Sequence, residues 1–365
     1  ILRHRLIYFF QFLKFILIFL FFFIFFYSCQ SENKNEKKIK AIQIDLSLDR
    51  FDLKFYNQSA SVISELKSQY PFLFPKQFSD NVWISRQTDS LQLLLQNEVN
   101  KTFENTDLIE SDLSHLFKHI KFYFPNTIVP RVITLTNNVD YQIKTVYSDS
   151  LLLISLDTFL GRYNPLYDGI PNYIRKELDP KYIKVEVADK FAAFVIPQPE
   201  SRTFLSRMIY EGKKLYLQDI FLPHIPIEDR ILYSLEEYNW AFNNEIYVWQ
   251  YFVEKKVLYQ TQPEWVNRFI EPAPFSKFYL QLDNETPGKI GSWVGWQIVK
   301  SYVKKYPETS LDEVLKLPAQ KLFRKLDNKR FSKVSVKTEC PSIPNSSGFA
   351  SAPKATPTAN PSGML

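Results

Sequence analysis

The sequence predicts an α+β protein that is predominantly helical and carries a small antiparallel sheet. Apolar residues recur at helical spacing through most of the chain from Ala60 onward. The pattern changes to alternating and β-branched runs in one later region, residues 131–156. Hydrophobic residues make up 45% of the chain and aromatic residues 16%, which is enough to fill a large core without disulfides.

The first elements combine one strand with three helices. Alternating apolar and polar residues predict a strand at Ile42–Phe51, and Asp89 is a candidate N-cap for the second helix. Proline ends the first and third helices, since Pro71 and Pro125 follow them directly. The predicted helices are Ala60–Tyr70, Asp89–Phe103 and Leu113–Phe124.

Three short runs separated by turn residues predict the sheet. The runs are Arg131–Leu135, Tyr141–Tyr147 and Leu151–Leu156. Because short turns join neighbouring strands as hairpins, we expect these strands to be antiparallel.

Helices dominate the rest of the domain. The longest predicted helix, Ser234–Tyr259, has glutamates in its first turn and lysines near its end, which suits the helix dipole. The other predicted helices are Pro180–Val195, Ser201–Phe221, Ile290–Tyr306 and Leu311–Leu315.

Composition divides the chain into four parts. We expect a signal peptide at residues 1–28, a polar tether at 29–40 and one globular domain at 41–331. Residues 332–365 are rich in Ser, Pro, Thr and Ala and contain a single aromatic residue, Phe349. Such a segment cannot bury a core, so we expect a disordered tail.

The N-terminus resembles a bacterial lipoprotein signal peptide. Basic residues precede an uncharged run from Phe15 to Tyr27, and Ser28-Cys29 follows before the composition becomes polar. This order implies cleavage before Cys29 and acylation of Cys29, with palmitate among the acyl chains. Extended back through Lys14 to Leu6, the run covers 22 residues. That length reaches the roughly 20 residues of an uncleaved transmembrane anchor. Both interpretations place the domain outside the cytoplasm.

Several classes of function lack their sequence signals. No P-loop, GxGxxG or GxSxG pattern is present, so we expect no cofactor and no catalytic triad. The net charge of +6 is spread over the chain rather than gathered in a basic block, which argues against nucleic acid as a partner. Cys340 has no cysteine to pair with if Cys29 is acylated.

His115 and His119 form the one candidate metal pair. Their spacing places both side chains on one face of a helix, as metal-binding pairs require. No glutamate follows the first histidine, and no third ligand lies nearby in sequence. We favour the interpretation that these histidines face solvent or a neighbouring strand, and we expect no metal site.

A proline-glycine turn precedes the last long helix. Pro287-Gly288 leads into a helix on which Gly291 and Gly295 lie four residues apart. This spacing leaves a smooth stripe on which a second helix can pack closely. We therefore assign these four residues to the turn and to helix packing.

Seven segments together make the chain similar to the GldB family of gliding-motility lipoproteins from Bacteroidetes. None of them is a catalytic motif, and the resemblance as a whole covers about residues 41 to 326. The segments are Tyr70–Pro75, His119–Pro125, Val139–Tyr141, Ser148–Leu153, Ile209–Lys213, Pro272–Phe278 and Gly295–Val299.

A second resemblance is to zinc proteases of the HExxH class, in which a Glu-Gly motif on the following helix supplies a zinc ligand. Glu211-Gly212 matches that motif. Ala188 and Ala192 stand where the two histidines would lie, so the resemblance implies a zincin-like fold that has lost its chemistry.

The family resemblance implies a non-enzymatic, lipid-anchored envelope protein that is required for gliding and linked to type IX secretion. Its expected partners are other gliding and secretion proteins, and its domain would face the periplasm. Two alternatives remain: a lipid-anchored metal-dependent hydrolase that uses His115, His119 and a distant carboxylate, and a substrate-binding lipoprotein.

Overall fold

The computed structural model describes residues 34–56, 62–281 and 283–326. They belong to two units that divide between Gln43 and Ile44. The first unit contributes one polar helix, α1 (Lys34–Ala41). The predictions for the signal peptide, for Cys29 and for the C-terminal tail lie outside the described residues.

The second unit begins with a short strand, β1 (Leu48–Asp49), and a helical segment. Asp89 caps its fourth helix, as predicted, because its carboxylate accepts hydrogen bonds from the N–H groups of Leu91 and Gln92. The helices of this segment are α2 (Phe51–Tyr56), α3 (Ile63–Gln69), α4 (Asp80–Thr88), α5 (Ser90–Thr102) and α6 (Asp107–Tyr123).

The sheet has four strands in the described part of the chain, in the order β1-β2-β4-β3. Strands β2 (Arg131–Leu135), β3 (Thr145–Tyr147) and β4 (Leu151–Ser155) follow α6. β3 and β4 form the predicted antiparallel hairpin, but β2 pairs with β4 in parallel and β1 pairs with β2 in parallel. The sheet is therefore mixed, and the prediction of an antiparallel sheet was wrong.

Burial on both faces explains the parallel pairs. Val132 belongs to a core cluster with β4, α6 and the central helices, whereas Ile133 packs with α2 and α3 on the other face. Strands covered on both faces read as continuous apolar runs and are typical of parallel pairing. The short turns predicted hairpins between successive strands. Instead, β2 pairs with β4, the second strand of the β3–β4 hairpin.

The remainder is helical, as predicted. Ser234 and Glu237 form a capping box at the start of the longest helix, and Ser310 and Glu313 form another at a later helix. The helices are α7 (Asn172–Arg175), α8 (Ile183–Val195), α9 (Phe204–Phe221), α10 (Ile227–Ile231), α11 (Leu235–Glu254), α12 (Pro263–Phe269), α13 (Ile290–Lys305), α14 (Leu311–Lys316) and α15 (Ala319–Lys325).

Helix α9 lies at the centre of this unit. One side of it contributes to the core shared with the sheet, α6 and α8, and the other side to a core built from α11, α12 and α13. No helix among the described residues has both the length and the apolar character needed to cross a membrane.

Candidate functional site

A cavity of about 680 Å³ opens in the second unit beside the central helix. Helices α8 and α9, the end of α10 and the start of α13 frame it. Helix α7 with the turn that follows it and the loops around residues 141–144 and 270–272 complete the wall. Its volume falls within the range of about 300–1,000 Å³ that is usual for small-molecule sites. Three segments that carry the family resemblance reach this cavity, through Tyr141, Glu211 and Pro272.

Charged side chains line the cavity in equal numbers of each sign. Within the described residues, its five cationic side chains are those of Lys144, Lys190, Lys214, Arg230 and Lys289. Its five carboxylates are those of Glu177, Glu186, Asp189, Glu211 and Glu271. Such a lining favours polar or charged ligands over apolar ones.

One group of these side chains centres on Lys214, which lies on α9. Its ammonium nitrogen is 3.1 Å from a carboxylate oxygen of Asp189 on α8 and 3.0 Å from one of Glu211 on its own helix. Gln218 lies one turn further along α9, with its amide nitrogen 3.4 Å from the other Asp189 oxygen. We call Lys214, Asp189 and Glu211 the carboxylate-rich group.

The second group joins three lysines through two glutamates. Lys144 bridges Glu177 at 3.2 Å and Glu186 at 3.1 Å. Lys289 contacts Glu177 at 3.4 Å, and Lys190 contacts Glu186 at 3.2 Å. We call these five residues the lysine-rich group.

Burial and pairing act in opposite directions on the pKa values of Lys214, Glu211 and Glu177. Burial lowers the pKa of Lys214, but Asp189 and Glu211 outweigh it, so that the pKa lies above its usual range. Burial raises the pKa of Glu211, and Lys214 offsets this only in part, because the nearby Asp189 carboxylate raises the pKa further. Burial also raises the pKa of Glu177, but Lys289 and Lys144 outweigh it, and the net pKa is lowered.

Strained backbone is concentrated around this cavity. Leu232 and Lys289, which both line it, adopt the left-handed conformation with φ of 60° and 55°. Asn138 and Val139 do the same just before Tyr141, with φ of 65° and 57°. Such conformations cost about 1–3 kcal/mol each and tend to occur at functional sites.

A buried aspartate holds the strained loop in place. Asp157 is fully buried, and its carboxylate accepts hydrogen bonds from the backbone N–H groups of Asn137 and Val139 at 2.8–3.1 Å. Burial raises the pKa of Asp157 despite these hydrogen bonds. These two N–H donors to one carboxylate fix the turn that leads to Tyr141 in the cavity wall.

Glycines set the distance between α9 and α13. A Cβ at Gly295 would overlap with the backbone of Met208, and a Cβ at Gly212 would overlap with the backbone of Gly295. A Cβ at Gly291 would lie 2.8 Å from the carbonyl oxygen of Phe269. This close packing fixes the helix turn that carries Glu211 and Lys214.

The turn before α13 is held by hydrogen bonds to its carbonyl groups. The Ser276 hydroxyl donates to the carbonyl oxygen of Pro287 at 2.7 Å, and the Tyr233 hydroxyl donates to that of Gly288 at 2.7 Å. A Cβ at Gly288 would overlap with the carbonyl oxygen of Ala273. The turn thereby places Lys289 at the cavity wall.

The two candidate metal-binding histidines lie away from this cavity, on α6. His115 is exposed, whereas His119 is buried and its Nδ1 donates to the carbonyl oxygen of Ile220 at 3.1 Å. No cluster of three or more His, Cys, Asp or Glu residues suited to a metal ion occurs in the described part of the chain. Cys29 lies outside that part.

The residues that the zinc protease resemblance implies do not form a zinc site. Ala188 and Ala192 are fully buried in the core shared with the sheet. Glu211 faces the cavity, but Lys214 already occupies the space between Glu211 and Asp189. Neither imidazole is present, so the donor set does not fit zinc.

The sequence did not single out the lysines of the cavity. Lys214 follows Glu211 by three residues and Lys190 follows Glu186 by four, which are spacings common on solvent-exposed helix surfaces. Lys144 and Glu177 lie on loops far apart in the chain, so only the fold brings them together.

Comparison with known proteins gives one family. The family model described as gliding motility protein GldB matches residues 32–327, which is more than half of the chain. No curated protein and no solved structure matches the chain significantly. The chain belongs to the GldB family of gliding motility lipoproteins.

Proposed function

We propose that this protein is a non-enzymatic, lipid-anchored component of the cell envelope that is required for gliding and works with the type IX secretion machinery. Acyl chains on Cys29 would hold it at the membrane, with the domain facing the periplasm. Family membership supports the role in gliding. The apolar run that ends at Ser28-Cys29 supports the anchor.

The position of Lys214 carries the non-enzymatic part of the proposal. A metal ion held by Asp189 and Glu211 would have to lie between their carboxylates, where the Lys214 ammonium makes contacts of 3.1 and 3.0 Å. The ammonium already occupies that position and neutralises one of the two negative charges. This arrangement favours a cavity that binds a ligand over one that performs metal-dependent hydrolysis.

Replacement of His115 separates this proposal from the hydrolase alternative. In a gliding bacterium whose own copy of the gene is deleted, we expect His115→Gln to restore gliding as fully as the parent, because His115 is an exposed helix residue. Colony spreading and single-cell speed measure the effect, with immunoblots to compare protein amounts. Loss of gliding at the parental protein level would instead support a hydrolase that uses His115.

The anchor is tested at Cys29. Cys29→Ala should block acylation and cleavage, so a larger precursor should accumulate and gliding should be lost. Labelling with an alkyne fatty acid measures acylation, and gel electrophoresis measures the size of the protein. Cys340→Ala is the matched control and should mature normally. A Cys29→Ala protein that matured to the parental size would contradict the lipoprotein assignment.

A further inference from the structure

The two charged groups of the cavity carry opposite surplus charges. The lysine-rich group has three lysines against two glutamates, and so one surplus positive charge. The carboxylate-rich group has one lysine against two carboxylates, and so one surplus negative charge. The Arg230 guanidinium is paired with Asp219 at 3.0 Å and adds no surplus of either sign. Glu271, which is exposed at the cavity wall, adds one further negative charge.

The surplus charges are accessible from the cavity. The side chains of Asp189 and Glu211 are 32% and 28% exposed. Lys190 and Lys289 are 33% and 22% exposed, whereas Lys144 is 11% exposed and lies deeper. A ligand can therefore reach one pair of carboxylates and one pair of ammonium groups without breaking the buried pairs of Lys144.

We propose that this cavity binds a zwitterionic, peptide-like ligand. The ammonium group of the ligand would contact Asp189 and Glu211, and its carboxylate would contact Lys190 and Lys289. Tyr141, Tyr173 and the apolar residues of the wall would cover the part of the ligand between its charges. The inference rests on the proposed binding role of the cavity.

The size and preorganisation of the site suit such a ligand. A volume of about 680 Å³ accommodates a short peptide but not a folded domain. The strained loops, the tight turn before α13 and the glycine contacts between α9 and α13 fix the walls before binding. A preformed site loses less entropy when it binds a small ligand.

Calorimetric titration of the purified mature protein with trialanine tests this inference. We expect saturable binding of trialanine, and binding at least about tenfold weaker for its N-acetylated and C-amidated forms, because each lacks one charged contact. Mass spectrometry of the recovered trialanine should find it intact. Recovery of cleaved peptide would support a peptide as the ligand but would contradict the proposal that the protein is not an enzyme.

Two conservative variants assign the two ends of the peptide. In Glu211→Gln, N-acetylation of trialanine should weaken binding much less than it does in the parent protein. In Lys190→Gln, C-amidation of trialanine should likewise weaken binding much less than in the parent. Glu65→Gln and Lys101→Gln alter exposed residues outside the cavity and should behave like the parent. Absence of trialanine binding, equal binding of all three peptides, or unchanged selectivity in both cavity variants would overturn the inference.

Discussion

Replacing Gly295 with leucine should prevent the folded protein from accumulating. The backbone of Met208 on α9 occupies the space where a side chain on Gly295 would begin. Backbone cannot rotate away as a side chain can, so α9 and α13 would have to separate. We expect a loss of about 3 kcal/mol or more in the free energy of unfolding, and loss of gliding through loss of protein.

Gly295→Ala tests the same contact, because an open helix and a closely packed helix predict changes in stability of opposite sign. In an open helix, alanine would stabilise the protein by roughly 1 kcal/mol relative to glycine. Here we expect destabilisation, because even a methyl group overlaps with Met208. Urea unfolding of the mature protein measures both variants, and Lys304→Leu on the exposed side of α13 serves as the control. A midpoint for Gly295→Ala at or above that of the parent would contradict close helix packing.

Removing the Lys214 ammonium should have the second largest effect. Lys214→Met leaves Asp189 and Glu211 without the ammonium group that lies between them. Breaking a fully buried pair costs about 3–5 kcal/mol, and the cost here should be lower because both carboxylates are about 30% exposed. We expect a loss of roughly 2 kcal/mol in the free energy of unfolding.

The triple variant Lys214→Met, Asp189→Asn, Glu211→Gln should recover at least half of that loss. It removes the repelling carboxylates together with their cation, so no uncompensated charge remains. Thermal unfolding of the parent, the single variant and the triple variant gives the comparison. If the triple variant were less stable than Lys214→Met, the carboxylates would be stabilised by contacts other than Lys214.

The sequence predicted the helices best. Helical periodicity, the Asp89 cap and the prolines after helices are local signals, and the structure follows them closely. The strand predicted at Ile42–Phe51 is reduced to Leu48–Asp49. Its C-terminal end is cut short because α2 begins at Phe51. Helices α1, α2, α4, α7, α10, α12 and α15 were missed.

The candidate site was harder to predict, because its contacts join distant segments. Lys144 follows the first long loop of the sheet, Glu177 follows α7, and Lys289 precedes α13. The fold nevertheless brings the ammonium nitrogens of Lys144 and Lys289 to 3.2 and 3.4 Å from carboxylate oxygens of Glu177. Charge sign and spacing along the chain carry no information about such pairs. The glycines of α13 and the Glu211-Gly212 pair of α9 did identify the two helices that pack closely. Close packing requires glycine whichever helix lies opposite.

Metal content tests the central claim, that Lys214 takes the place of a cation between Asp189 and Glu211. The mature parent protein, purified in zinc-containing buffer and then dialysed, should contain no stoichiometric zinc by elemental analysis. Lys214→Met should be stabilised by added Zn²⁺ or Ca²⁺ in thermal unfolding, and the triple variant should not respond. One zinc ion per parent molecule that is lost in Glu211→Gln would contradict the claim and identify the cavity as a metal centre.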